Sequence, residues 1–226
     1  LPAIVRAMEA HPGDAAVQVA GCRALRIICF GTDAAALARR QAAADVGALP
    51  AVVRAMDAYP GDAAVQANGC GALTSICAGN DAAARARQQA AADAGALPAI
   101  VRAMEAHPGD NLVQANGCAA LLSICSGTDA AALARKQKAV DAGALPAIAQ
   151  AMDAHPRDAD VQGRGCLALA NIIWFCVGGD AAGLARKQVA ADAGTLPAIV
   201  RAIDAHPDDA IVQRRGCGAL SIMFSA

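Results

Sequence analysis

The stretch Gly95-Ala96-Leu97-Pro98-Ala99-Ile100-Val101-Arg102-Ala103-Met104-Glu105-Ala106-His107-Pro108 decides how the chain reads, because it recurs. Close copies run from Leu1, Leu49, Leu97, Leu145 and Leu196, so the spacing is 48 residues three times and then 51. A fixed period of this size means stacked units, each burying its apolar face only against its neighbours. Within the stretch, Leu97, Ile100, Val101 and Met104 fall at i, i+3, i+4 and i+7, which predicts one apolar helix face. Gly95 suits the left-handed end of a preceding helix, and Pro98 suits the first turn of the next. Pro108 disfavours helical geometry at His107, so the helix is expected to stop there.

The rest of the third copy predicts two more helices. Asp110 is placed to cap one whose core positions are Val113, Gly117, Cys118, Leu121, Ile124 and Cys125. The Gly-Cys pair recurs in all five copies. Either the helix breaks or kinks there, or a neighbouring backbone comes close, or duplication copied the pair. Gly127 ends this helix. Thr128 or Asp129 caps the third, Ala130 to Ala142, expected to be the most solvated, with Arg135, Lys136 and Lys138 exposed.

Composition narrows the function. Nineteen Lys+Arg against 20 Asp+Glu leave a net charge of −1, without the basic excess that neutralises phosphates. Aromatics are 2% of the chain, too few for rows of base-stacking platforms. No stretch is apolar enough for a membrane span of roughly 20 residues. The longest run is Ile172 to Val177. Much of the 56% hydrophobic content is alanine, so the core has to come from Leu, Ile, Val, Met, Cys and Ala. No nucleophile elbow, phosphate loop, zinc-protease motif or metal cluster appears, so neither catalysis nor a cofactor is expected.

Nine cysteines fall at two repeat positions: Cys22, Cys70, Cys118, Cys166 and Cys217, then Cys29, Cys77, Cys125 and Cys176. This placement predicts small buried thiols. It points to a reducing, intracellular compartment, the cytoplasm first.

With these residues in view the chain resembles the armadillo repeat. Gly-Ala-Leu-Pro-Ala-Ile-Val-Arg-Ala-Met, Asp-x-x-Val-Gln and Ala-Leu-x-x-Ile-Cys-x-Gly carry the resemblance across essentially the whole chain. It implies an all-α, right-handed solenoid of about 4.5 three-helix repeats: 1–48, 49–96, 97–144, 145–195 and a partial 196–226. The chain reads as one repeat domain and part of a longer array. The resemblance also implies that the helix after Gly-Ala-Leu-Pro lines a concave groove, and that Val-Gln and Gly-Cys lie on separate helices. The stretch Gly127 to Lys138 is longer than the family's link and predicts an added helix near one edge. Nuclear import adaptors of this family carry a Trp and an Asn in many repeats. Here the Trp position reads Arg23, Gly71, Ala119, Leu167 and Gly218, and the Asn position reads Ile27, Ser75, Ser123, Asn171 and Ile222. Only Asn171 matches.

Equivalent residues of stacked units lie about 10 Å apart and form ladders. Arg6, Arg54, Arg102, Gln150 and Arg201 make one, and Glu9, Asp57, Glu105, Asp153 and Asp204 another. They read either as a groove of alternating charge that grips an extended peptide or as i,i+3 pairs within each helix. His11, Tyr59, His107, His155 and His206 form a third, read as caps on their own helix ends or as ligand or pH-sensing contacts. Their spacing is too wide to share a metal. The fourth copy gains three residues between Cys166 and Gly178, nearly one helical turn, carrying Trp174 and Phe175. These aromatics anchor a partner or enlarge the local core. The function expected is a non-catalytic scaffold binding a peptide or protein; the alternative is a structural subunit of a larger assembly.

Overall fold

The computed structural model describes residues 1–173 and 188–224. Trp174, Phe175 and Cys176 lie outside the described residues. All regular structure among the described residues is helical, and the helices pack on one another. The first three copies each contribute three helices. These are α1 (Pro2–Ala10), α2 (Ala15–Ile28) and α3 (Ala34–Asp45), then α4 (Ala48–Ala58), α5 (Ala63–Cys77) and α6 (Ala82–Asp93), then α7 (Ala96–Ala106), α8 (Asn111–Ile124) and α9 (Ala130–Asp141). The fourth copy shows α10 (Ala144–Ala154) and α11 (Ala159–Ile173), and the fifth α12 (Thr195–Ala205) and α13 (Ala210–Phe224). Residues 188–192 are helical as well.

The start and stop signals work as the residues suggest. Asp110 accepts from the Val113 N–H at 3.0 Å, and Asp129 from the Ala132 N–H at 2.8 Å. Gly95 takes φ 84°, and its copies Gly47, Gly143 and Gly194 do the same at 78°, 86° and 72°. A Cβ is disfavoured in this region, and one glycine both closes the third helix of a copy and opens the first helix of the next. The first helices end at His11, Tyr59, His107, His155 and His206, each just before a proline.

The core runs continuously through the copies. Leu97, Ile100, Val101 and Met104 are buried, as are Val113, Cys118, Leu121, Ile124 and Cys125. Seven of the cysteines sit in it as free thiols; Cys217 is exposed. The heaviest packing between copies follows the second helices, α2 to α5 to α8 to α11 to α13. The first helices make a lighter second row, α1 to α4 to α7 to α10 to α12.

Three sequence expectations need correction. Val-Gln and Gly-Cys lie on one continuous helix, as in α8, and not on two. The helix neither breaks at Gly117 nor meets a neighbouring backbone there. A Cβ on Gly117 would lie 2.6 Å from Met104 Cγ, so the glycine makes room for a side chain of the preceding helix. Gly21, Gly69 and Gly165 face Met8, Met56 and Met152 in the same way, and Gly216 faces Ile203. The third helix is not solvated all round: Arg135 and Lys136 are 1% and 2% exposed, whereas Lys138 is exposed as expected.

Candidate functional site

Two rows of largely buried polar side chains follow from backbone groups that helix ends leave unpaired, the first in all five copies and the second, among the described residues, in the first three. In the first row, Gln114 Nε2 donates to the carbonyls of Met104 and His107, both at 2.8 Å. Met104 needs this partner because the residue four on is Pro108, which has no N–H. Gln18, Gln66, Gln162 and Gln213 repeat the arrangement on Met8, Met56, Met152 and Ile203.

In the second row, Arg135 of α9 reaches the end of α8. Its Nε donates to the Ile124 carbonyl at 2.8 Å and its Nη2 to the Ser126 carbonyl at 2.9 Å. It also donates to Gln88 Oε1 of the preceding copy at 3.1 Å. Arg87 does the same on Ile76 and Ala78, and reaches Gln41 of the preceding copy at 3.1 Å. A cation at a helix C-terminus is favoured by the dipole as well as by the bonds. Burial lowers the pKa of both guanidinium groups from the ordinary arginine value. The first copy uses Arg39 on Ile28 and Arg40 on Cys29.

The charged ladder is a cross-copy zipper. Arg54 pairs with Glu9 at 2.8 Å, Arg102 with Asp57 at 2.6 Å and Arg201 with Asp153 at 2.5 Å. This corrects the i,i+3 expectation: Arg54, Arg102 and Arg201 each take the acid of the preceding copy and not the one beside it on its own helix. Gln150 stands where an arginine would face Glu105, so Glu105 has no cation among the described residues. Arg6 and Asp204, at opposite ends of the ladder, have no ion-pair partner among the described residues either. All ten ladder residues are exposed.

The histidine ladder also points across the joint rather than capping its own helix. His107 Nε2 lies 2.8 Å from the Pro60 carbonyl, His155 Nε2 2.8 Å from that of Pro108, and His206 Nε2 3.0 Å from that of Pro156. A carbonyl only accepts, so each ring carries its proton on Nε2. Tyr59 fills the same role, its hydroxyl donating to the Pro12 carbonyl at 2.9 Å.

The thiols buried in the core are chemically quiet. Burial pushes Cys22, Cys70, Cys77, Cys118, Cys125 and Cys166 up to about 12, so at neutral pH they are neutral and poor nucleophiles. Among the described residues no group of His, Cys, Asp or Glu is placed to hold a metal. No helix among them is long and apolar enough to cross a membrane.

Two registers of the second helices change from copy to copy. One register runs Ala20, Asn68, Asn116, Arg164 and Arg215; the next runs Arg23, Gly71, Ala119, Leu167 and Gly218. Asn116 Nδ2 donates to the Ala67 carbonyl of the preceding copy at 3.0 Å. Arg164 pairs with Asp160 at 2.8 Å. Asn171 Oδ1 is buried and has no hydrogen-bond partner among the described residues. It borders a hollow of about 370 Å³ lined also by Leu167, Ala170 and Ile222. Sequence reasoning singled out Asn171 but gave this register no binding role. The missed signal was its change from copy to copy against a nearly constant background. The chain matches no protein-family model and no curated protein.

Proposed function

We propose that the chain is a non-catalytic protein-binding scaffold, an armadillo-like right-handed solenoid of about 4.5 repeats that holds an extended peptide or a partner protein. The observation that carries this reading is where the copies differ. Most residues that bury, cap or bridge are nearly the same in every copy, whereas the residue before the Gly-Cys pair on α2, α5, α8, α11 and α13 changes type along the stack. A surface that varies at fixed spacing on a rigid frame suits sequence-selective contact with an extended chain. The denser packing among these helices supports reading them as the inner row of the curve. Asn171 offers an acceptor that nothing in the described chain uses. The arginines of the first-helix ladder are mostly engaged with their neighbours, so contact with a ligand would first break those pairs.

A peptide array read with the purified chain tests this. Selected peptides are expected to lose affinity about tenfold on Arg164→Glu or Asn171→Ala, one lost contact of roughly 1.4 kcal/mol. They should be nearly indifferent to Arg54→Glu plus Arg102→Glu. The reverse pattern returns the site to the first-helix ladder. An array with no selected peptide favours the alternative, a structural subunit that packs into a larger complex.

A further inference from the structure

The second helices concentrate a positive charge that the chain as a whole lacks. Arg23, Arg26, Arg164, Arg214 and Arg215 lie on α2, α11 and α13, against Asp160 as the one acid within the described second helices. The aspartates that cap these helices spend their oxygens on backbone N–H groups. Arg26 and Arg215 have no hydrogen-bond or ion-pair partner among the described residues. Ile211 stands one turn before Arg215, where Asp160 stands before Arg164. Both free arginines lie along the stack over a glycine of a neighbouring copy. A Cβ on Gly71 would be 2.7 Å from Arg26 Cδ, and one on Gly163 would be 3.1 Å from Arg215 Nη1. The Gly163 position holds Val19, Ala67 and Ala115 in the earlier copies, so the side chain is missing where Arg215 needs a seat. Arg164 also leans back: its Nε donates to Asp160 at 2.8 Å and its Nη1 to Asn116 Oδ1 at 3.4 Å. The three guanidinium heads thus sit beside Gly71, Asn116 and Gly163, on the second, third and fourth copies. Arg26 and Asn68 border one hollow of about 430 Å³, which places Arg26 on the same face as the register that holds Arg164 and Arg215.

We propose that this face takes an acidic extended peptide whose carboxylates pair with Arg26, Arg164 and Arg215. The inference rests on the second helices being the binding face and adds what the partner must carry. A guanidinium presents planar paired donors that match a carboxylate at two points. Stacked second helices lie about 10 Å apart. A polyproline II segment advances about 9 Å per turn of three residues and turns every third side chain to one side. Acids at every third residue therefore keep step with the three heads. Asp160 competes for Arg164, so the contact there is the weakest of the three. A net charge of −1 and 2% aromatics favour a peptide over a nucleic acid as the anionic partner.

Fluorescence anisotropy on the 226-residue chain is the test, with a labelled Pro/Ser peptide of about twelve residues carrying Glu at every third position. The peptide should bind, and more weakly as salt is raised. Arg26→Glu and Arg215→Glu should each weaken binding roughly five- to tenfold, since each turns an ion pair into a like-charge contact. Arg26→Gln and Arg215→Gln, which keep the stem, should each cost about threefold and leave the melting temperature unchanged. Asp160→Asn should tighten binding about twofold, a gain that lost packing does not produce. A Glu→Gln version of the peptide that binds equally well overturns the proposal. So do silent Arg26 and Arg215 variants, or an oligothymidylate that binds more tightly than the peptide. Array selection of uncharged or basic peptides that depend on Asn171 leaves the binding face in place and overturns only its acidic preference. An array with no selected peptide, together with no binding of the acidic probe, overturns both.

Discussion

The first helices and the second helices of the five copies bury similar apolar residues but differ in how constant their polar ones are. On α4, α7 and α12 the outward arginines reach back to an acid of the preceding copy, and the closing His or Tyr reaches back to its proline carbonyl. Those residues barely change. On α5, α8 and α11 the residue before the Gly-Cys pair passes from Asn68 to the buried Asn116 to Arg164. Both rows reach the preceding copy: the first-helix joints keep one donor pattern, whereas the second-helix register does so with changing residue types, Asn116 on the Ala67 carbonyl and Arg164 on that of Ala115. Constancy among copies therefore marks the first-helix joints, and variation marks the second-helix register.

Three substitutions probe that contrast. The largest effect is expected where the two rows interlock, at Gly117. Gly117→Val puts side-chain atoms into the space of Met104 and should destabilise the chain by about 3 kcal/mol in urea unfolding. A companion Met104→Ala should recover part of the loss if this clash is its cause. Next comes Gln114→Leu, which leaves the Met104 carbonyl without a donor because Pro108 cannot supply one. About 2 kcal/mol should be lost, the penalty of a buried unpaired carbonyl. A loss no larger than for an exposed site would mean water reaches that carbonyl. The smallest is Arg102→Ala. Both partners are half exposed, so the pair with Asp57 contributes less than about 0.5 kcal/mol in a double-mutant cycle. A coupling of about 2 kcal/mol or more, well above the usual range for exposed pairs, would make the ladder a structural clamp rather than a register mark.

Much of this frame can be read from residues. The Leu97, Ile100, Val101 and Met104 stripe, the Asp110 cap, the Gly95 turn and the paired cysteines all act locally, and local rules found them. The burial of Arg135 escaped because what surrounds it is remote in sequence: the end of α8, eleven residues back, and Gln88, 47 residues back. A poor apolar stripe with basic residues reads as solvated until that neighbour is in place. Its signal was the arginine held at positions 39, 87 and 135 while the residue beside it changed from Arg to Gln to Lys. The Arg102 partner escaped for a related reason. An acid three residues on satisfies the helix rule, but the stack brings Asp57, 45 residues back, to within 2.6 Å. The glutamine row was legible in principle. A proline stands four residues after each of Met8, Met56, Met104, Met152 and Ile203, and each such proline announces an orphaned carbonyl.

The reach of Arg87 and Arg135 into the preceding copy has a consequence for how the chain comes apart. In a linear array, stability divides into what each unit holds alone and what each pair of neighbours adds. A guanidinium that ends one helix and also grips the copy before it shifts weight from the first share to the second, because melting one unit strips bonds from the next. The array then behaves less like separate beads than like a single cooperative block, in which fraying at one end is resisted at every boundary it crosses.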